Sequence, residues 1–279
     1  MIAYFNHEYL PRDRIAVSPD DRGFLFADAL YEVIRVYGGR LFRAREHMER
    51  MAYGARELAF PETDFGYLAG VSEELIRRNG LDGADAVVYL QVTRGAAPRA
   101  HAFPPEGTPL TVYAAVREYP QDPARLEAGI EVILVPDQRW ARCDIKTVGL
   151  LGNVLAAQEA RRRGVGEALF VRDGFVMEGS HTNFLAVLDG VVVTPPRTNY
   201  ILGGITRQAV LELCRDLSIP VSERPVTHGA LFGAGEVAVL GTTMEVTPVV
   251  RVEGRPVGTG RPGPVTRRLQ EAFRELVGS

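Results

Sequence analysis

The chain has 279 residues, 46% of them hydrophobic and 24% charged, with a formal net charge of −3 and two cysteines. That is the composition of a soluble globular protein of one large or two medium domains, without the basic surplus of a nucleic-acid binder. Cys143 and Cys214 are too few for a disulfide framework and lack metal-ligand spacing, so no metal site is expected. No apolar run approaches the length of a membrane span. Residues 1–8 show no basic segment followed by an apolar run, so no secretory leader is expected. A reduced, cytoplasmic setting fits.

In chain order, residues 2–10 alternate around Asn6-His7 and predict a short hairpin. Asp20-Asp21-Arg22-Gly23 reads as a loop. Residues 30–37 form a β-rich run ending at Gly38-Gly39, with Tyr31, Val33, Arg35 and Tyr37 on one face. Helices are predicted over 43–58 and 64–78, the latter ending at Asn79-Gly80. Strands follow over 86–93 and 111–117, joined by a proline-rich loop. Tyr119-Pro120-Gln121-Asp122-Pro123 reads as a linker. Beyond it come a strand over 130–135 and a helix over 150–163 closed by Gly164. Three strands follow, with turns at Asp173-Gly174 and Asp189-Gly190. A helix is expected over 205–217, a strand over 236–240 and a last helix over about 264–276. The expected architecture is mixed α+β in two domains: residues 1–119, a linker at 120–124, and a larger domain at 125–279.

Lysine and arginine together number 32, and Lys146 is the only lysine among them. An arginine stays protonated and cannot act as an amine nucleophile, whereas a desolvated lysine can form a Schiff base with a carbonyl. Lys146 lies between a predicted strand and a predicted helix, a common place for a reactive side chain. The lone lysine reads either as the survivor of a bias towards arginine or as a Schiff-base former, and in the second case pyridoxal phosphate is the expected carbonyl partner. It requires a phosphate cradle, an acid beside the pyridine nitrogen and packing against the ring. Glu178, in Met177-Glu178-Gly179-Ser180, reads either as that acid or as a solvated turn residue. Leu202-Gly203-Gly204-Ile205-Thr206-Arg207 precedes a helix and reads either as an anion cradle or as an ordinary cap. Gly241-Thr242-Thr243 offers a second loop of this kind, and Arg50 a cation. In the run from Gln91 to His101, Arg99 and His101 share a face if the chain is extended. They could take a carboxylate together with the Tyr31 hydroxyl; alone, an Arg-x-His pair usually reads as a solvated loop.

Taken together, these stretches resemble the fold-type-IV pyridoxal-phosphate enzymes, and among them the bacterial D-amino-acid transaminases. The resemblance runs nearly end to end. It rests on Asp21-Arg22-Gly23, Leu30-Tyr31-Glu32-Val33, Glu46-His47-Met48-Glu49-Arg50, residues 91–101, Arg142-Cys143-Asp144-Ile145-Lys146, Glu178-Gly179-Ser180, Gly204-Ile205-Thr206-Arg207 and residues 242–248. It implies a two-domain fold with a small N-terminal and a larger C-terminal domain. It also implies that Lys146 holds pyridoxal 5'-phosphate and moves the proton, that Glu178 pairs with the pyridine nitrogen, and that Leu202 packs on the ring. Arg50, Ile205 (backbone), Thr206 and Thr242 would hold the phosphate, with Ser180 also among the cofactor contacts. Tyr31, Arg99 and His101 would bind the substrate carboxylate, the last two reaching over from the partner of a homodimer. The implied activity is ping-pong transamination from D-amino acids such as D-alanine or D-glutamate to 2-oxoglutarate or pyruvate. Within the fold, branched-chain L-amino-acid transaminase and aminodeoxychorismate lyase are alternatives, and outside it a non-catalytic cofactor-binding regulator. His181 departs from the small residue usual after Glu-Gly-Ser.

Overall fold

The computed structural model describes residues 1–278. The chain divides into two compact units, one of Met1–Gln121 with Ile145–Gly149, the other of Asp122–Asp144 with Leu150 onward. The first unit holds β1 (Ile2–Phe5), β2 (Glu8–Pro11), α1 (Arg22–Phe26), β3 (Ala29–Tyr37), β4 (Arg40–Leu41), α2 (Ala44–Glu57), α3 (Tyr67–Arg78), β5 (Ala86–Thr93) and β6 (Thr111–Glu118). Its six strands form an antiparallel sheet in the order β2-β1-β6-β5-β3-β4. Asn6 and His7 both take positive φ, 45° and 73°, as a two-residue hairpin requires for its twist to match the strands. Leu30, Ile34 and Val36 of β3, Met48 and Met51 of α2, and Leu68 and Leu75 of α3 meet in one apolar core.

The partition shows why Ile145–Gly149 joins this unit rather than the one expected from its place after residue 124. The two-residue strand β4 pairs only with Val36 and Tyr37, so the other end of that β3 edge is open. Residues 145–148 occupy it: Leu30 bridges Thr147, Tyr31 donates its N–H to the Lys146 carbonyl at 3.1 Å and Val148 donates to Ala29 at 3.3 Å. Ile145 enters the apolar core. Gly54 of α2 leaves room for Leu30 beside it, since a Cβ there would lie 2.8 Å from Leu30, with Ile145 at a contact distance of 3.4 Å.

The second unit holds α4 (Pro123–Ala128), β7 (Ile130–Pro136), α5 (Leu151–Arg162), β8 (Glu167–Arg172), β9 (Phe175–Gly179), β10 (Asn183–Leu188), β11 (Val191–Thr194), α6 (Ile205–Asp216), β12 (Val221–Glu223), β13 (Val226–Thr227), α7 (His228–Leu231), β14 (Glu236–Gly241), β15 (Glu245–Val252), β16 (Arg255–Pro256) and α8 (Pro264–Gly278). Its ten-stranded sheet runs β12-β11-β10-β14-β15-β7-β8-β9-β13, with β16 beside β15. The pairs β11–β12, β15–β7 and β7–β8 are parallel and the others antiparallel. No helix among the described residues is long and apolar enough to cross a membrane.

Three local readings are corrected. Arg22 opens a helix instead of lying in a loop, because the Asp21 carboxylate caps it by accepting the Gly23 N–H. Pro123, expected in the linker, starts α4, where its missing N–H costs nothing and Asp122 supplies the cap. Four strands, not three, occupy residues 167–194, since Ser180–Thr182 interrupt what read as one strand.

Candidate active site

In the first unit the site is built on the β3 edge that receives Lys146. The Lys146 amine lies 4.2 Å from the centroid of the Tyr31 ring, and that ring stacks on Tyr89 at 5.8 Å. The next strand residue, Glu32, points the other way and is fully buried with Leu30 and Ile34. Its carboxylate is met from α2, where His47 and Arg50 stand one turn apart. Arg50 makes a two-pronged contact, Nε to Oε1 at 2.8 Å and Nη2 to Oε2 at 2.7 Å, and His47 Nδ1 lies 2.7 Å from Oε2. Burial alone would raise the Glu32 pKa, but Arg50 and His47 together hold it far below the usual carboxylate range. Burial likewise lowers the pKa of His47, more than Glu32 raises it. The cation proposed for a phosphate is thus already oriented by a buried carboxylate.

Arg99 and His101 lie on the exposed loop between β5 and β6. Both pack on Phe26, with the Arg99 guanidinium 5.1 Å and the His101 ring 5.6 Å from its centroid.

In the second unit, Glu178 ends β9 as a buried carboxylate. One oxygen accepts from Arg139, and the other accepts from Asn183 Nδ2 at 2.9 Å and from the Leu202 N–H at 3.0 Å. Burial, only partly countered by Arg139, pushes its pKa up to about 7. A carboxylate offers about four acceptor positions, and three are used, so one more donor can be taken. Asn183 also donates to the Leu202 carbonyl at 2.9 Å, which ties Glu178 to the Leu202-Gly203-Gly204 turn. A Cβ on Gly204 would fall 1.9 Å from Asn183 Oδ1, so this turn requires glycine. Directly after it α6 begins, with no side chain capping its N-terminus and with Ile205 and Thr206 buried in the first turn. Its N–H groups can bind an anion. Thr242 follows the last residue of β14, whose Leu240 pairs with Asn183, so the second loop flanks the same strand. The spare acceptor of Glu178, the glycine turn and the uncapped helix start are what pyridoxal phosphate requires: a partner for its ring nitrogen and a cradle for its phosphate.

Ser180 is engaged otherwise. Its hydroxyl donates to buried Glu167, which also accepts the Ser180 N–H at 3.1 Å and the Thr182 hydroxyl at 2.9 Å. His181 Nδ1 lies 3.0 Å from the same carboxylate. Glu167 therefore shapes the turn that follows Glu178.

The amino-transferase class IV family profile matches residues 29–252. This chain belongs to that family. The chain is similar to the D-alanine aminotransferase of Staphylococcus haemolyticus, 43% identical over 99% of this chain and 98% of the relative. It is similar also to that of Bacillus licheniformis, 39% identical over 99% and 97%. Among solved structures it resembles the Escherichia coli branched-chain amino acid aminotransferase, with a TM-score of 0.90 and 31% identity over 99% of this chain and 94% of that one. The branched-chain amino acid aminotransferase of Thermobaculum terrenum, solved in its PLP-bound holo-form, matches at a TM-score of 0.84 and 26% identity, over 99% and 93%. The mixed α+β fold is the fold-type-IV aminotransferase fold.

For a class IV aminotransferase, the residues that sequence reasoning missed are those behind the expected ones: Glu32 and His47 behind Arg50, Arg139 and Asn183 behind Glu178, and Glu167 behind Ser180. Glu32 carried a readable signal. It shares the strand phase of Leu30, Ile34 and Val36, and a carboxylate in a core-facing phase demands a cation from the element packed on it.

Proposed function

We propose that this pyridoxal-phosphate aminotransferase takes its amino group from D-amino acids such as D-alanine and D-glutamate and passes it to 2-oxo acids such as 2-oxoglutarate or pyruvate. The observation that carries the reading is the 43% identity to a D-alanine aminotransferase over 99% of the chain. Bound pyridoxal phosphate supplies the electron sink for the carbon that loses its proton and stores nitrogen between the two half-reactions. Lys146 is the residue that holds it and moves that proton at Nζ. Glu178 has an acceptor position for the ring nitrogen and Leu202 is the packing surface. Arg50, the Ile205 N–H, Thr206 and Thr242 are the phosphate contacts; Ser180 contributes by holding the turn after Glu178.

Handedness follows from where the carboxylate is held. With nitrogen fixed and the Cα hydrogen directed at Nζ, exchanging carboxylate and side chain exchanges D for L. Tyr31, Arg99 and His101 are the proposed carboxylate trap, the last two supplied by the partner of a homodimer. Their exposure in the single chain supports this. So does an apolar stripe at helical spacing on α5, where Leu151, Val154 and Leu155 are 73%, 58% and 59% exposed. A cytoplasmic location is part of the same reading.

The second reading, a branched-chain L-specificity, has the TM-score of 0.90 in its favour. Backbone likeness at 31% identity reports the shared scaffold, and the substrate is chosen by side chains on it. Purified enzyme assayed with D- and L-amino acids against 2-oxoglutarate decides between them. D-alanine and D-glutamate are expected to be preferred; faster turnover of L-leucine overturns the reading.

A further inference from the structure

The Asp21-Arg22-Gly23 stretch is unused by the roles above, yet it is among the most tightly held in the first unit. Asp21 accepts the Gly23 N–H at 2.8 Å and the Thr93 hydroxyl at 2.9 Å. A Cβ on Gly23 would lie 2.5 Å from Thr93, so the residue must be glycine. Arg22 donates its N–H to the Gly95 carbonyl at 2.9 Å, and Asp21 bridges Ala96. The start of the loop that carries Arg99 and His101 is therefore stitched to α1.

The Arg22 side chain reaches farther along that loop. It is only 4% exposed, although residues 99–103 are exposed. Nη1 donates to the carbonyls of Ala100 at 2.7 Å and Ala102 at 3.1 Å, and Nη2 reaches that of His101 at 3.5 Å. Nε donates to Asp28 Oδ2 at 2.9 Å, an oxygen that also accepts from Arg94 Nε at 2.8 Å. Phe26 carries Arg22 on its ring at 4.9 Å and, as described, Arg99 and His101. A buried guanidinium is costly to desolvate, and this one uses its fork on the backbone on either side of His101.

We infer that Arg22 is a positioning residue for substrate recognition, fixing the backbone of residues 100–102 so that Arg99 and His101 present their donors to the substrate carboxylate. This rests on the carboxylate-trap reading above. Asp28 keeps Arg94 as a partner when Arg22 is replaced, so Arg22→Gln removes the clamp without stranding a buried charge. Arg22→Lys keeps the charge beside Asp28 but cannot fork to two carbonyls, and serves if the Gln variant folds poorly.

The test is a double-mutant cycle in the holoenzyme with Arg22→Gln, Arg22→Lys and Arg99→Ala, read by kcat and KM for D-alanine and by hydrogen exchange. An error of about 1 Å in a positioned group can cost on the order of 100-fold. The expected result is a KM raised about 10- to 100-fold by Arg22→Gln, with kcat and cofactor content little changed and faster exchange over residues 98–103 but not over β5. In the Arg99→Ala background much of the KM effect should vanish, because one of the two residues it positions is gone and only His101 is left to misplace. An unchanged KM in both Arg22 variants, or effects that multiply in the double variant, overturns the positioning role. If Arg99→Ala itself leaves KM unchanged, Arg99 is not part of the carboxylate trap, and the Arg22 role falls with it.

Discussion

The amine of Lys146 sits 4.2 Å above the Tyr31 ring while the Lys146 carbonyl accepts the Tyr31 N–H. One strand residue thus fixes both ends of the lysine: the backbone bond sets where the side chain starts, and the ring limits where its amine can go. Tyr31→Phe keeps both contacts and removes only the hydroxyl offered to a carboxylate, so KM for D-alanine should rise with kcat nearly unchanged. Tyr31→Ala also removes the ring and should lower kcat at least tenfold further. Equal kcat values in the two variants would show that the ring does not place the amine.

Lys146→Arg should fold and bind no cofactor covalently, because a guanidinium keeps the charge but forms no Schiff base. Turnover should be lost. With a single lysine in the chain, borohydride treatment of wild-type holoenzyme should leave cofactor on the one peptide that contains Lys146. Peptide mapping by mass spectrometry checks it, and label on another internal peptide would remove Lys146 from its role.

Glu178 makes apoprotein stability depend on pH. Its carboxyl has a pKa of 4.5 in an ordinary setting and about 7 in the folded protein. Between these values the folded chain holds the proton that the unfolded chain has released, so stability falls as pH rises. The contribution is at most about 3 kcal/mol. Thermal unfolding of apoprotein from pH 4.5 to about 7.5 should show this decline, and Glu178→Gln should flatten it. Cofactor should reduce it too, since a cationic ring nitrogen favours the ionised carboxylate. In single turnovers the same variant should retain cofactor but abstract the substrate proton more slowly.

Arg50→Ala should be destabilising as well as weak in cofactor binding. It leaves Glu32, which is 0% exposed, with His47 alone, and breaking a buried ion pair typically costs about 3–5 kcal/mol. Adding Glu32→Gln removes the stranded charge and should recover most of that stability without restoring affinity for pyridoxal phosphate. Urea unfolding of the apoproteins and cofactor titration separate the two effects. Recovery of affinity in the double variant would show that Arg50 acts only through Glu32.

Arg99→Ala should lower kcat/KM for D-alanine by about 30- to a few thousand-fold, the equivalent of roughly 2–5 kcal/mol for a desolvated charge pair that loses one partner. Cofactor content should not change. Near-normal kinetics in a D-specific enzyme would remove Arg99 from the trap.

Much of this arrangement was legible from local pattern. The strand over 86–93 and the helix beginning at Ile205 are where their periodicity puts them. What was hidden depends on partners far along the chain. No strand is expected over β15, and Pro248 in its interior runs against strand patterning, yet the proline pairs with Ala238 in the middle of the sheet. The break between β9 and β10 comes from Glu167 drawing in Ser180 and Thr182, which no local motif announces. Lys146 stood out as the lone amine, but its place beside Tyr31 follows from the open edge left by a short β4.

The first unit is not a continuous piece of chain, and that sets an order on its completion during synthesis. Its first 121 residues leave the ribosome with the β3 edge still open, and Ile145–Gly149 is made about 28 residues later. At ordinary translation rates that is a delay of roughly one to six seconds. The nascent sheet spends that interval with an unpaired edge, and the chain's one lysine side chain joins the unit only with this late segment.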